Sequence, residues 1–303
     1  MGIPMNSLCV ECRLRKDLDT ARKLGDDQTA TAFARAHLQL FLQMGEQENS
    51  SYFGAKIDEL FHKFYDLEAD RFKAEKDASN AFVLERLDTL REKAESAEDP
   101  VYAALQLAVL GNYIDFSALR GEVDFSVLDG MLDKARELDL DKSVYNQFLS
   151  DCETGKNLLY ITDNAGEIGF DRVMAECLQE RFPHLNITFC VRGKPVSNDA
   201  TREDATAVGI TWPVIDNGCA IGGTCIEHIS QKAKDALEKA DVVLAKGMGN
   251  TESMFGCGYN VYYAFLIKCD RFIQYFGKPK MTPMFVRDSA YTQKQIPIYR
   301  LKQ

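Results

Sequence analysis

The sequence predicts an α/β protein: a three-layer α/β/α domain with a mainly parallel sheet, preceded by an all-helical N-terminal domain. Two patterns in the 303 residues support this class. From residue 13 to about 97, apolar residues recur every three or four positions, which is typical of amphipathic helices. After Gly155, short apolar runs alternate with helical stretches, as in βαβ units. We place the boundary near residue 150, with a helical domain at 1–150 and an α/β domain at 151–303.

The helical part contains several separate periodic segments. Leu60, Phe64 and Leu67 follow the 3.6-residue period, and we interpret them as a core seam rather than a cofactor site. Pro100 is a favourable first residue for the next helix, VYAALQLAVLGNYIDFS. Two further helical stretches bring the chain to the boundary.

Four apolar runs after the boundary predict strands: NLLYIT, NITFCVR, TWPVIDNG and DVVLAKG. Helices are predicted for FDRVMAECLQERF, DATREDATAVG and GTCIEHISQKAKDALEKA. The apolar stretch VYYAFLIKCDRFIQYFG fits either a helix or strands, because periodicity does not separate the two there. The last segment, TPMFVRDSAYTQKQIPIYRLKQ, is compatible with an edge strand or a meander.

Composition excludes several classes of protein. A formal net charge of -10 argues against a nucleic-acid partner, because a phosphate backbone requires a basic face. No apolar run approaches the roughly 20 residues that span a bilayer, and charges interrupt the first 19 residues where a signal peptide is apolar. We therefore expect a cytoplasmic protein with no membrane contact. Its oligomeric state is not specified by the sequence.

The nine cysteines are expected to be reduced thiols, because the count is odd and no secretion signal is present. Cys177, Cys190 and Cys269 lie in apolar contexts and are expected in the core. Cys9 and Cys12 form the one spaced pair, CVEC. Three interpretations stay open for this pair: two thiols at a helix end, half of a metal or cluster site, and a redox pair.

Polar side chains gather where the predicted strands end. Parallel strands bind ligands beyond their carboxyl ends, and four successive exits there share carboxylates, carboxamides, lysines and glycines. The candidates are Asp163, Asn164 and Glu167 after the first strand; Lys194, Asn198 and Asp199 after the second; Asp216 and Asn217 after the third; and Lys246, Gly247, Asn250 and Glu252 after the fourth.

This set of carboxylates, carboxamides, lysines and glycines is suited to binding hard metal ions and phosphate. Carboxylate and amide oxygens prefer Mg²⁺ or Mn²⁺, glycines admit backbone N–H groups to an anion, and lysines neutralise phosphoryl charge. Individually, Asp163 or Asp199 could be a helix N-cap and Glu167 half of a capping box; the coincidence at several exits favours a functional site. The chain has no Walker loop, and GCAIGGT does not fit the dinucleotide fingerprint.

In these motifs the chain resembles the damage-control phosphatases, a metal-dependent group long known as domain-of-unknown-function family 89. The resemblance rests on CVEC, GNYID, DNAGE, GKPVSNDAT, DNG with a following GT, and KGMGNTE in this order. The CVEC pair points to the smaller subgroup that is common in prokaryotes. The cysteines of DNGCAIGGTC, Cys219 and Cys225, depart from the glycine-rich loop expected there.

The resemblance implies a divalent cation (Mn²⁺, Mg²⁺, Co²⁺ or Ni²⁺) held by Asp163, Asn164 and Asp199. It places Lys246 and Asn250 on the phosphate side, and Asn112 and Asp115 at the cleft from the helical part. The implied reaction is hydrolysis of small phosphorylated metabolites, including sugar phosphates. Asp163, Asp199 and Lys246 are then the expected catalytic residues, with Glu167, Lys194, Asn198, Gly247 and Glu252 around the substrate. Either water or an aspartate is the nucleophile.

Two alternatives remain at the level of sequence. A non-catalytic protein that binds sugar phosphates or nucleotides with a metal would share every loop feature. A methyltransferase would share the order of strands and helices, but its cofactor has no phosphate and requires no metal triad.

Overall fold

The computed structural model describes residues 2–45, 48–115 and 123–288. Helices dominate the first half of these ranges, with a short 3-10 helix at Ala135–Glu137. The α-helices up to the first strand are α1 Ser7–Leu24, α2 Asp27–Leu42, α3 Ser50–Phe64, α4 Lys73–Leu84, α5 Leu87–Glu95, α6 Pro100–Gly111, α7 Phe125–Asp133 and α8 Lys142–Thr154.

Local capping explains where several of these helices begin. The side chains of Asn6, Asp26, Asn49 and Asp99 accept hydrogen bonds from backbone N–H groups in the first turns of α1, α2, α3 and α6. Those N–H groups have no acceptor within the helix, so each cap satisfies a donor that would otherwise be unpaired. Pro100 is the first residue of α6, as predicted.

Strands and helices alternate from residue 157 onward. They are β1 Asn157–Ile161, α9 Glu167–Arg181, β2 Asn186–Val191, α10 Arg202–Ala207, β3 Val214–Asp216, α11 Gln231–Lys239, β4 Val242–Lys246, α12 Gly247–Met254, β5 Val261–Leu266, α13 Asp270–Phe276 and β6 Pro283–Arg287. Within the described residues the strands form one sheet in the order β3-β2-β1-β4-β5-β6. All neighbouring strands are parallel except β5 and β6, which are antiparallel.

The sheet is the middle of three layers, which confirms the predicted fold class. Leu158 and Tyr160 of β1 pack with α5, α6, α8 and α9 on one face. Leu159 and Ile161 face the other way and pack with α11, α12 and α13. This alternation follows from the two-residue period of a strand whose two faces are both covered.

Residues 1–150 are helical in their described part, but they pack in two groups. Helices α1–α3 share a separate core around Phe33, Phe53 and Phe61. Leu60, Phe64 and Leu67 are partly buried against that core, as expected of a seam. Helices α4–α8 contribute to the main core on the sheet. The division at residue 150 stays a prediction.

The structure shows which elements form in the segments where periodicity allowed either a helix or a strand. Residues 261–277 form a strand followed by a helix, β5 and α13, with a turn at 267–269. The helix predicted from 223 begins only at Gln231, because Ser230 caps it. The last segment contributes the antiparallel edge strand β6, and residues 289–303 lie outside the described part. In the described residues, no helix is both long and apolar enough to cross a membrane.

Candidate active site

A cavity of about 680 Å³ lies at the carboxyl ends of the strands. Helices α1 and α3 form one wall of it, and the loops after β1, β2, β4 and β5 form the other. Five of the residues predicted from sequence line this cavity: Asp115, Asp163, Asn164, Asp199 and Glu252. The position at the strand ends is the one expected for a ligand site of an open parallel sheet.

Asp163 and Asn164 are buried just beyond the end of β1, and the Asp163 carboxylate lies against the start of α12. Gly247 begins α12 at a φ of 79°, and a Cβ atom there would overlap the Asp163 carboxylate. Only glycine combines this left-handed backbone with so close an approach. Gly247 therefore makes room for Asp163 rather than lining the cavity.

The Asp163 carboxylate is oriented by two carboxamides. Asn112 Nδ2 donates to Asp163 Oδ2 over 3.0 Å, and Asn164 Nδ2 donates to the same oxygen over 2.9 Å. Asn112 is itself fixed by the end of β5, because its Oδ1 accepts from the backbone N–H of Leu266. Asn112 therefore approaches the site from the helical part, as predicted. It does not line the cavity itself but holds the Asp163 carboxylate through a hydrogen bond.

Glu167 is fully buried and holds the two carboxamides in place. Its carboxylate accepts from Asn112 Nδ2 at 2.9 and 3.1 Å and from Asn164 Nδ2 at 2.7 Å. Since all of these contacts are within the protein, Glu167 positions its neighbours and does not reach the cavity. Glu167 is not among the residues that line the cavity, and its predicted place around the substrate stays a prediction.

Asp199 reaches the same place from the loop after β2. Its backbone forms an isolated antiparallel bridge with Asn164, which brings the two strand-exit loops together. Arg192 Nε donates to Asp199 Oδ2 over 2.6 Å, and Arg192 Nη2 lies 3.5 Å from Asp163 Oδ1. Asn198 is buried and donates to the carbonyl of Ile114, so it braces the loop instead of lining the cavity.

The carboxylates repel one another in this buried setting. Burial raises the pKa of Asp163 well above its usual range, and the charges of Glu167 and Asp199 raise it further. Burial also raises the pKa of Asp199 to about 6, although Arg192 acts in the opposite direction. The site therefore has more negative charge than its own cations compensate, which favours binding of a cation.

Lys246 does not reach the cavity. It is fully buried, and its Nζ donates to Glu167 Oε1 at 2.7 Å, to Asp171 Oδ1 at 2.9 Å and to the carbonyl of Ala108 at 2.8 Å. Burial alone would lower the pKa of Lys246, but Asp171 and Glu167 outweigh it and raise that pKa. An ammonium group has three protons, and all three are used within the protein.

Asn250 also acts inside the protein. Its Nδ2 donates to the carbonyls of Thr162 and Lys246 at 3.0 and 2.7 Å, and its Oδ1 accepts from Arg192 and Thr224. These four bonds connect the exits of β1, β2 and β4. The sequence placed Lys246 and Asn250 against phosphate, whereas the structure places them beneath the residues that face the cavity.

Two residues that the sequence analysis did not assign stand close to the carboxylates. Arg192 is the last residue of the predicted strand NITFCVR, and candidate residues were assigned only in the loop that follows this strand. Lys268 lines the cavity, and its Nζ donates to Asp115 Oδ2 and to the carbonyl of Asn112, both over 2.6 Å. Lys268 follows β5, and the strand-exit rule would have found it if residues 261–266 had been recognised as a strand.

The other predicted positions are less central. Lys194 is exposed, and neither it nor Asp216 or Asn217 is among the residues that line the cavity. Glu252 lines the cavity beside α3, and Ser51 Oγ donates to its Oε1 over 2.6 Å. Burial raises the pKa of Glu252 to about 7, against the lowering effect of the bond from Ser51.

The oxygen donors fit a hard divalent cation. In the described residues, no three His, Cys, Asp or Glu side chains are gathered closely enough to hold a metal, so a cation here would rest on two carboxylates and one carboxamide. Asn164 directs its Nδ2 to Asp163 and Glu167, which leaves Asn164 Oδ1 without a donor from the described part of the chain. Asp163 Oδ1 and Asp199 Oδ1 likewise accept no hydrogen bond from the described residues. Arg192 Nη2, which has no hydrogen-bond partner among them, lies 3.5 Å from Asp163 Oδ1. Three such oxygens suit Mg²⁺ or Mn²⁺.

Cys9 and Cys12 lie in the first two turns of α1 and line the cavity. All nine cysteines are free thiols, as expected. Burial raises the pKa of the Cys9 thiol, which disfavours the reactive thiolate form. Cys177 and Cys190 are buried as predicted, whereas Cys269 is only partly buried and lines the cavity.

Comparison with known proteins agrees with the resemblance read from the motifs. Residues 5–282 match the damage-control phosphatase ARMT1-like domain. The chain belongs to this family. An uncharacterised Methanocaldococcus jannaschii protein, MJ0202, is 30% identical over 283 residues, which cover 91% of this chain and 89% of that protein.

Two relatives in the damage-control phosphatase family have functional names. The damage-control phosphatase PH1575 of Pyrococcus horikoshii is 32% identical over 187 residues, 58% of this chain and 61% of that protein. A damage-control phosphatase of Archaeoglobus fulgidus is 26% identical over 255 residues, 82% of this chain and 87% of that protein. The crystal structure of PH1575 superposes with a TM-score of 0.80 at 25% identity, covering 94% of this chain and 99% of that one.

Proposed function

We propose that this protein is a divalent-metal-dependent phosphatase of small phosphorylated metabolites, such as sugar phosphates. The observation that carries the proposal is the trio of oxygens at the cavity: Asp163 Oδ1, Asn164 Oδ1 and Asp199 Oδ1, each without a hydrogen-bond donor in the described residues. The family relationship supports a phosphatase, since two relatives carry that name. The cavity volume also fits a small metabolite.

A metal bound by these three residues would supply a Lewis acid for a phosphoryl oxygen and lower the pKa of water. The protein's own groups would orient the ester. Of the two strand-exit lysines Lys246 and Lys268, Lys268 is the one that lines the cavity; its side chain is buried, and two of its three protons have partners among the described residues. We assign Lys268 to a phosphoryl oxygen, where negative charge must be stabilised.

The start of α12 provides a second source of positive potential. Met248 and Gly249 lie in its first turn and line the cavity. N–H groups of a first turn have no acceptor in their own helix, and the helix dipole favours an anion there. Asn112 and Glu167 keep Asp163 in place during this binding, and Arg192 does the same for Asp199.

The deciding experiment measures phosphate release from a panel of sugar phosphates with Mn²⁺, Mg²⁺, Co²⁺ or Ni²⁺. We expect activity that EDTA removes and metal restores. Asp163→Asn and Asp199→Asn should each lower kcat/KM by about a hundredfold or more, because each removes a charged ligand. Asp139→Asn is the matched control, since Asp139 is exposed and has no place in the cavity.

Metal binding should be measured alongside activity, by Mn²⁺ titration of the wild-type and variant proteins. Weaker Mn²⁺ binding in Asp163→Asn supports the assignment even when the substrate in the assay is poor. Full activity in Asp163→Asn contradicts the proposal. Tight, metal-dependent binding of sugar phosphates without phosphate release identifies a binding protein instead. Phosphate retained on acid-quenched protein would identify an aspartate, rather than water, as the nucleophile.

A further inference from the structure

The wall of the cavity that belongs to α1 and α13 contains two arginines with unused donors. Arg13 lies in α1 and Arg271 in α13, and both line the cavity. The Nε atoms of both are buried and have no hydrogen-bond partner among the described residues. The Nη groups are not buried, and apart from one long contact of Arg271 they make no hydrogen bond within the described residues, so an anion in the cavity that accepts from them would be stabilised by charge-assisted hydrogen bonds.

The arginines also lack a full complement of carboxylates. Arg13 Nε lies 3.5 Å from Asp17 Oδ2, and that oxygen already contacts His37 Nε2 at 3.0 Å. The described contacts of Arg271 are a long hydrogen bond of 3.5 Å to Gln274 and the face of the Tyr275 ring. In the part of the chain that the structure describes, neither arginine has a bidentate carboxylate, the usual partner of a structural arginine.

Helix α3 is shaped to admit the Arg13 guanidinium. Gly54 lies inside α3, where glycine is unfavourable by about 1 kcal/mol relative to alanine. A Cβ atom at Gly54 would stand 3.0 Å from Arg13 Nη2 and 3.4 Å from its Cζ. The space that the missing side chain leaves is therefore occupied by the guanidinium group, which lies between the two helices beside the cavity.

Further charged groups lie close to the two arginines on this wall of the cavity. Burial and the nearby charge of Arg13 lower the pKa of Lys16 to about 8, against the raising effect of Asp17 and Asp115. Glu252 is within electrostatic reach of both arginines, and its pKa of about 7 leaves it partly protonated at neutral pH. Arg15 and Lys280 are exposed at the rim of the same cavity.

We propose that Arg13 and Arg271 bind a second anionic group of the substrate, so that the preferred ester carries a carboxylate or another phosphate in addition to the phosphoryl group that is hydrolysed. This inference rests on the proposed function. The two ends of the substrate would contact different elements: the strand-exit loops hold the reacting phosphoryl group, and α1 and α13 hold the second charge. A volume of about 680 Å³ is larger than a phosphate ion requires and accommodates such a molecule.

Kinetics with matched substrates test the proposal at pH 7.5. Fructose 1,6-bisphosphate is compared with fructose 6-phosphate, and 6-phosphogluconate with glucose 6-phosphate, which separates a second phosphate from a carboxylate. We expect the wild-type kcat/KM to be roughly tenfold or more higher for at least one doubly charged ester, the effect of one charge-assisted hydrogen bond. Arg13→Gln and Arg271→Gln should each reduce that preference, with little change for the singly charged ester.

Arg22→Gln is the control, because Arg22 lies in the same helix but is exposed and away from the cavity. Arg13→Lys retains charge without the guanidinium geometry and should restore part of the preference. Melting temperatures identify any variant that is merely unfolded. Equal losses on both members of a substrate pair, or no wild-type preference in either pair, would overturn the inference.

A binding measurement separates this inference from the proposed function. Pentane-1,5-bisphosphonate and pentylphosphonate resist hydrolysis and are titrated calorimetrically into the protein with Mn²⁺. We expect the bisphosphonate to bind roughly tenfold more tightly, and Arg13→Gln to abolish the difference. If the difference is found but no ester is hydrolysed, the proposed function fails and the subsite stands. If esters are hydrolysed and both probes bind equally, the subsite fails and the phosphatase stands.

Discussion

Lys246 shows how burial decides the role of a single charged side chain. Its ammonium group has three protein acceptors and no exposed surface, so it has no proton left for a substrate oxygen. Asp171, one of those acceptors, also accepts from the Tyr160 hydroxyl over 2.8 Å. The lysine therefore compensates the charge of two buried carboxylates, one of which holds the carboxamides beside Asp163.

Replacing Lys246 with methionine tests this role. Lys246→Met leaves Glu167 and Asp171 buried without their cation, and we expect the free energy of unfolding to fall by about 3–5 kcal/mol. Urea unfolding at pH 7 measures the change, with Lys232→Met as the control because Lys232 is exposed in α11. Unchanged stability with abolished activity would contradict the structural role and indicate that Lys246 contacts the substrate.

Lys268 and Lys194 make a second comparison between two strand-exit lysines. Lys268 lines the cavity, whereas Lys194 is exposed and does not. We expect Lys268→Gln to lower kcat/KM for a sugar phosphate by about a hundredfold, the effect typical of losing one transition-state donor. Lys194→Gln should change it by less than about threefold. The reverse order of the two effects would refute the assignment of Lys268.

At the scale of elements, the crossing of α6 and α9 sets the position of the site. Every residue of α6 from Val101 to Gly111 is buried, and the helix ends at Asn112, the side chain that orients Asp163. Gly111 lies against the ring of Phe170 in α9, where a Cβ atom would stand 2.8 Å from Phe170 Cδ2. The close approach of the two helices is thus built into the residue that precedes Asn112.

Gly111→Ala should therefore destabilise the protein despite the better helix propensity of alanine. Overpacking in a core costs about 1–3 kcal/mol, and the propensity gain offsets about 1 kcal/mol of that. We also expect kcat to fall, because Asn112 moves with the end of α6. The control is Gly130→Ala in α7, where no atom of the described residues lies within 4 Å of the new Cβ and stability should rise slightly. Equal stability changes in the two variants would rule out this account.

The elements themselves were largely predictable from periodicity, because strands covered on both faces are apolar runs and the helices carry clear caps. The residues at the strand exits were predictable for the same reason, and Asp163, Asn164 and Asp199 do meet. Which polar side chain faces the cavity was not predictable. Lys246 and Lys268 both follow strands and both have fully buried side chains, but Lys246 is covered by α6 and α9, whereas Lys268 is among the residues that line the cavity.

At the scale of the whole molecule, the α1–α3 group contacts α12 and the loop after β3 through polar groups of Ser51, Glu252 and Gly222, which we call the polar seam. Ser51 Oγ lies 2.6 Å from Glu252 Oε1 and 2.9 Å from the carbonyl of Gly222. A hydroxyl has one proton to donate. A protonated Glu252 could donate to Ser51, and Ser51 could then donate to Gly222, so that all three groups are satisfied.

The seam predicts a pH dependence of stability. The pKa of Glu252 is about 7 in the folded protein and near its ordinary value of 4.5 when unfolded. The folded state therefore binds the proton more tightly, and this contribution to stability is lost as pH rises from about 4.5 through 7. Glu252→Gln removes the titration while it keeps a donor toward Ser51.

The melting temperature of Glu252→Gln, relative to wild type, should increase between pH 5 and pH 8 by roughly 2–5 °C. Differential scanning calorimetry across this range measures it. Arg13 and Arg271 act in the opposite direction, because they favour the ionised carboxylate. A difference that stays constant with pH would show that Glu252 is ionised throughout.

The two ends of the described chain meet beside the cavity, where Asn6 Nδ2 donates to Gln274 Oε1 over 2.8 Å across 268 residues. Gly2 and Ile3 are likewise bonded to Phe255 and Glu252 of the α12 region. During translation at roughly 5–20 residues per second, α1 leaves the ribosome tens of seconds before its partners do. During that interval, helices α1–α3 have no α12 or α13 to pack against. The ligand site is therefore among the last parts of the nascent protein to be completed.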